Sequence, residues 1–134
     1  MLISRSYRFE AAHHLPKVAP SHKCSRVHGH NYRVEIGVFG PLDERGFVVD
    51  FAEIDARAAP LVARCDHRLL NEIIGLENPT AEIIAGWFYD RIRLELPVSY
   101  VRVFETDDCF AEFGEGDAWR GSGANDVDEK AKGS

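Results

Sequence analysis

Two histidines one residue apart, His28-Gly29-His30, are the first feature of this 134-residue chain that could do chemistry. On an extended segment residues i and i+2 point to the same side, so both imidazoles can reach one ion. Gly29 between them lets the backbone approach with no side chain in the way. Imidazole nitrogens are common zinc ligands, and three protein ligands with one open position mark a catalytic rather than a structural zinc site. Three nearby histidines compete to be the third ligand. His13 ends a predicted strand that would hold it in place, whereas His14 points the other way and His22 sits in a loop. Geometry therefore favours zinc held by His13, His28 and His30.

Other reactive groups flank this core. Cys24 lies four residues before His28. It is either a fourth ligand, which would make the site structural, or a free thiol whose acidity is raised by nearby positive charge. Asp66-His67 could form a proton-transfer pair, with the carboxylate favouring the charged imidazole. The same two residues also suit a helix end, as caps and solvated groups. Glu105 closes a largely apolar strand and could accept two parallel hydrogen bonds from an N–H/NH2 edge such as that of a pterin or guanine. Taken alone, a plain solvent-facing role fits it somewhat better. Glu10, three residues before His13, is the sole neighbouring candidate for the general base that a zinc hydrolase would need.

These residues must be positioned by regular elements. Alternation predicts a strand over residues 2–9 and a second over 30–39, with Tyr32, Val34, Ile36 and Val38 on one face. A turn at 40–46 and a short strand at 47–50 would make 30–50 a β-hairpin. Helical spacing follows Asp50, with Ile54, Ala58, Leu61 and Cys65 on one stripe and a kink or break at Pro60. A second helix starts at the Thr80 cap and runs to about Leu94, burying Ile83, Ile84, Trp87, Phe88 and Ile92. Strands at 99–105 and 109–113 flank a tight turn at Asp107-Asp108. Strands followed by helices, without a short βαβ rhythm, indicate an α+β domain whose antiparallel sheet is covered on one face. Residues 1–120 read as one domain and 121–134, rich in Gly and Asp, as a disordered tail.

Composition narrows the function. The chain is 45% hydrophobic and 28% charged, and no apolar run is long enough to span a bilayer. Its net charge of −6 argues against a nucleic-acid surface. Yet residues 1–33 hold six Lys/Arg against one acid, together with five of the six histidines. A positive, histidine-rich zone in an acidic protein suits a small anionic ligand near a metal, or ordinary surface charge. The three cysteines form no disulfide framework. With no basic-then-apolar leader after Met1, a cytoplasmic protein without membrane or nucleic-acid partners is expected.

Taken in order, the motifs resemble the 6-pyruvoyltetrahydropterin synthase/6-carboxytetrahydropterin synthase family. The matching runs are residues 9–16 (FEAAHHLP), 24–31 (CSRVHGHN), 49–51 (VDF), 65–71 (CDHRLLN), 77–82 (ENPTAE) and 104–106 (FET). The resemblance implies an antiparallel four-stranded sheet with two helices on one face, of tunnelling-fold type, whose sheets join into a barrel in a homotrimer or homohexamer. It further implies Zn(2+) on His13, His28 and His30, and Cys24 as the catalytic thiol. Asp66 and His67 would complete a triad with the Cys24 of a neighbouring subunit, so active sites would lie between subunits. Glu105 would anchor the pterin ring beside Thr106, while Lys23 and Arg26 would hold the triphosphate of the substrate, 7,8-dihydroneopterin triphosphate. The three-residue gap between Cys24 and His28 looks like the carboxy-forming branch, which feeds 7-deazaguanine (queuosine) synthesis and releases acetaldehyde and triphosphate. Thr106-Asp107-Asp108 looks closer to the pyruvoyl-forming branch, and His14 stands where an arginine is frequent. A non-catalytic, zinc-stabilised binding module is the alternative of a different class, with four protein ligands and unfolding on chelation.

Overall fold

The computed structural model describes residues 1–117, so the expected tail at 121–134 lies outside the described residues. Four strands form one antiparallel sheet in the order β1 (Leu2–His13), β2 (His28–Phe39), β3 (Tyr100–Thr106), β4 (Cys109–Gly114). Two helices, α1 (Phe51–Cys65) and α2 (Ala81–Ile92), complete the α+β domain. Among the described residues no helix is long and apolar enough to cross a membrane.

The predicted alternation builds the core. Tyr32, Val34, Ile36 and Val38 are at most 1% exposed and meet Ile54, Ala58, Ile84 and Phe88 of the helices. Removing one such aliphatic side chain from water contributes about 1.5–3 kcal/mol, so this face alone commits the sheet to the helices. α2 begins where Thr80 Oγ1 accepts the Ile83 amide, as the cap predicts. α1 begins with a reciprocal capping box between Asp50 and Glu53.

Three expectations change. Residues 47–50 form no strand, and the hairpin partner of β2 is β1, not 47–50. β2 is central, with both hydrogen-bonding edges taken by β1 and β3, so no edge is left for a further strand. Residues 43–47 close on themselves instead, with Asp43 accepting the Arg45 and Phe47 amides. Pro60 does not break α1, which runs through it unbroken to Cys65. Its ring costs one backbone bond on an exposed stretch, where water can satisfy the freed Ala56 carbonyl. Finally β1 runs past residue 9 to His13, because its last residues pair with the start of β2: Ala11↔His30 and His13↔His28.

The opposite face of the sheet is polar and aromatic. Arg102 bonds Glu35 and Glu112, and Tyr100 donates to Glu35 at 2.8 Å. The Tyr100 ring lies across Gly37, where a Cβ would stand 2.0 Å from it, so only glycine admits the ring.

Candidate metal centre

Register places the three histidines. Directly opposed residues of an antiparallel pair share a face, so His13, His28 and His30 continue the core stripe of Phe9, Ala11 and Tyr32 beyond its apolar end. Their ligand nitrogens all lie within 4.8 Å of one another, and His13 is 1% exposed. The ring centroids are 4.6 to 5.0 Å apart and the rings meet edge to face.

The hydrogen bonds fix which nitrogens face the centre. His13 Nδ1 lies 2.8 Å from the Pro79 carbonyl and His28 Nδ1 lies 2.7 Å from the Arg26 carbonyl. A carbonyl only accepts, so each Nδ1 carries the proton and each Nε2 presents a lone pair. Those two Nε2 atoms face each other at 3.0 Å. His30 Nε2 is buried with no hydrogen-bond partner, and its nearest carboxylate oxygen, Glu105 Oε1, is 3.8 Å away. Converging lone pairs and an orphaned buried nitrogen are costly unless a cation lies among them. Zinc sits about 2.0–2.1 Å from imidazole nitrogens, and carbonyls that orient ligating rings are the usual outer support. Burial pushes the His13 and His30 pKa values below the ordinary histidine value, which favours the neutral, ligating form. The donor set fits zinc.

A cleft of about 460 Å3 opens beside this cluster, lined by Lys23, Cys24, Arg26, Glu105 and Thr106 together with His28 and His30. Every substrate-contact residue expected from the sequence thus meets two of the expected ligands in one place. Cys24 rides on a 3-10 turn, Lys23–Ser25, and does not join the three-histidine cluster. Glu105 reaches the cleft next to an irregularity in the β3–β4 pairing at Phe104/Thr106, a device that re-aims side chains at sheet ends. The other two thiols differ: Cys65 is fully buried, its pKa pushed up to about 12, and Cys109 is exposed.

Asp66 and His67 are not in that cleft. Segment 66–69 lies along the outer edge of β1, where the His67 amide donates to the Glu10 carbonyl at 2.6 Å and the Ala12 amide to the Arg68 carbonyl at 2.9 Å. His67 Nδ1 meets Asp66 Oδ1 at 3.0 Å, and Nε2 is left 3.9 Å from Glu10 Oε2. His67 has a left-handed backbone, φ 58°, uncommon outside glycine, and its side chain is 74% exposed. The Glu10 amide, and then the His67 ring, hold the Asp66 carboxyl below the usual carboxylate range. The pair is oriented as an acid–base couple that opens on solvent, and His67 lines a hollow of about 540 Å3 together with His30 and Gly29.

Sequence reasoning passes over the outer supports. Pro79 and Arg26 act through backbone carbonyls, which no side-chain pattern can report. Tyr32, whose hydroxyl lies 3.2 Å from His13 Nδ1, was detectable as the next same-face residue after His30.

Comparison with known proteins gives the family and the fold. Residues 2–116 match the model of the 6-pyruvoyl tetrahydropterin synthase family. A Synechocystis protein named 6-carboxy-5,6,7,8-tetrahydropterin synthase is 39% identical over 97 residues, covering 68% of this chain and 74% of that one. A Pyrococcus furiosus dihydroneopterin monophosphate aldolase is 37% identical over 89 residues, covering 66% and 72%. The fold of Caenorhabditis elegans 6-pyruvoyl tetrahydropterin synthase superposes with a TM-score of 0.79 at 23% identity, over 87% of this chain and 96% of that one.

Proposed function

The chain belongs to the 6-pyruvoyl tetrahydropterin synthase family, and from that premise we propose that it is a zinc-dependent lyase acting on 7,8-dihydroneopterin triphosphate. The products are 6-carboxy-5,6,7,8-tetrahydropterin, acetaldehyde and triphosphate, with one water consumed, and the step belongs to 7-deazaguanine (queuosine) synthesis. The observation that carries this reading is the adjacency of three inward imidazole nitrogens to a cleft that also holds a thiol, two cations and a carboxylate.

Each residue then has a role. His13, His28 and His30 hold zinc. Bound zinc supplies a Lewis acid that makes the hydroxyl and adjoining C–H groups of the substrate side chain more acidic. Cys24, as thiolate, removes a proton from that side chain. The His67 of a neighbouring subunit, oriented by Asp66 of that same subunit, returns protons. Glu105 accepts the N–H/NH2 edge of the pterin in a charge-assisted pair, with the Thr106 hydroxyl beside it. Lys23 and Arg26 neutralise the triphosphate. Exposure of Asp66 and His67, away from the cleft of their own chain, supports a homotrimer or homohexamer with shared sites. A non-catalytic zinc module loses ground, because a structural site calls for a fourth protein ligand and the cluster among the described residues has three.

The test is to incubate the zinc-loaded protein with 7,8-dihydroneopterin triphosphate and identify products by mass spectrometry. The carboxy product with acetaldehyde upholds the reading. 6-Pyruvoyltetrahydropterin keeps the site and moves the protein to the other branch, which Thr106-Asp107-Asp108 favours. Unchanged substrate with zinc bound sinks the lyase assignment.

A further inference from the structure

Cys24 is carried by a turn of three residues, Lys23–Ser25, which is too short to hold itself through its own ladder. The leading amides of such a turn have no partner within it and need an acceptor from outside. Two contacts fix the Cys24 peptide. Its carbonyl accepts the Leu15 amide at 2.8 Å, and its own amide donates to His22 Nδ1 at 3.0 Å. His22 is itself tied down, its amide donating to Ala19 at 2.8 Å and its carbonyl accepting Ser25 at 3.0 Å. It stands at the N-cap of the turn, in the place where Asp, Asn, Ser or Thr usually serve. It takes no part in the cluster of His13, His28 and His30.

From this geometry we propose that His22 is a positioning residue for Cys24: its imidazole acts as a hydrogen-bond acceptor that holds the turn presenting the thiol to the cleft. The proposal rests on the reading of Cys24 as the reacting thiol. Accepting at Nδ1 requires the neutral ring with its proton on Nε2, the opposite tautomer to His13 and His28. Leu15 holds the peptide group on the carbonyl side of the same residue, so the thiol hangs from a clamp with one jaw in the loop after β1 and one at His22. Losing one jaw leaves the turn formed for part of the time, and the thiol reaches the substrate in that fraction of molecules.

The experiment compares His22→Ala and His22→Asn in the full-length zinc protein. It uses NMR to follow Cys24 amide exchange and the His22 ring nitrogens, and steady-state kinetics with 7,8-dihydroneopterin triphosphate. The expected result is a His22 ring protonated on Nε2 in the parent. In His22→Ala, Cys24 amide exchange should speed up about fivefold, the loss expected for an N-cap side chain, and kcat should fall by a smaller factor, set by the fraction of molecules in which the turn is open. KM and zinc content should stay at parental values. His22→Asn, which offers an amide oxygen in place of the ring nitrogen, should restore both exchange and kcat to within about twofold. Unchanged exchange or unchanged kcat in His22→Ala overturns the proposal. So does failure of His22→Asn to rescue, since the ring would then do more than accept one bond. A parent protein with no turnover would sink the lyase reading instead, and the exchange data would still decide whether His22 holds Cys24.

Discussion

The His13–His28–His30 cluster and the Asp66–His67 pair use similar side chains, yet one is built on the core face within a single chain and the other opens on its edge. His13 is 1% exposed and His67 74%. The cluster is made by register between two long paired strands, so folding one chain completes it. The pair lies on a short stretch held against the free edge of β1, outside the cleft that contains Cys24. In the proposed function, metal binding is a property of the chain and proton transfer a property of the assembly.

Breaking the histidine cluster should have the largest effect. His13→Ala removes a buried ligand together with its bond to Pro79, and the dialysed protein should retain no stoichiometric zinc by atomic absorption, with turnover lost. Next, Cys24→Ala and His67→Ala should each lower kcat by about 10²–10⁴-fold while zinc content persists. Mixing and reassembling the two variants should recover activity, because some interfaces then pair an intact Cys24 with an intact Asp66–His67. No recovery would mean that the pair serves its own chain. A sharper control lies on the same face of the same strand. Ile36→Ala should cost about 2–5 kcal/mol in chemical denaturation yet leave zinc stoichiometry unchanged, since it empties core volume remote from the ligands.

The smallest effect is in pH. The folded-state pKa values of His13 and His30 are lowered, so the unfolded chain binds more protons between the ordinary histidine value, about 6.5, and those lowered values. Stability rises with pH wherever the unfolded state binds more protons, so the metal-free protein should lose stability as pH falls below about 6.5. Thermal melts of chelated protein between about pH 5 and pH 8 would measure this. A flat profile would mean the cluster is not desolvated.

Much of this was legible in the chain because it depends on period and spacing. Alternation at Tyr32, Val34, Ile36 and Val38 marks a half-buried strand, and the same period carried back two and four residues aims His30 and His28 at the core side. Thr80 and Asp50 announce helix starts because their side chains bond amides two or three residues ahead. Val48-Val49 misleads for the opposite reason: local β-propensity cannot know that both edges of β2 are occupied. Pro60 misleads because the harm it does depends on whether water reaches the freed carbonyl, a matter of burial.

What the sequence determined by itself is the inventory and its spacing: a same-face histidine pair, a thiol four residues ahead, an acid next to a histidine, and helices capped where they begin. Those relations hold within a few residues, where backbone geometry leaves little choice. The tertiary structure decided which residues meet. It set His13, the ligand that strand geometry already favoured, against His28, and kept Asp66 and His67 out of the Cys24 cleft. His13 and His28 stand 15 positions apart and Cys24 and Asp66 42, and only strand register and packing set such distances.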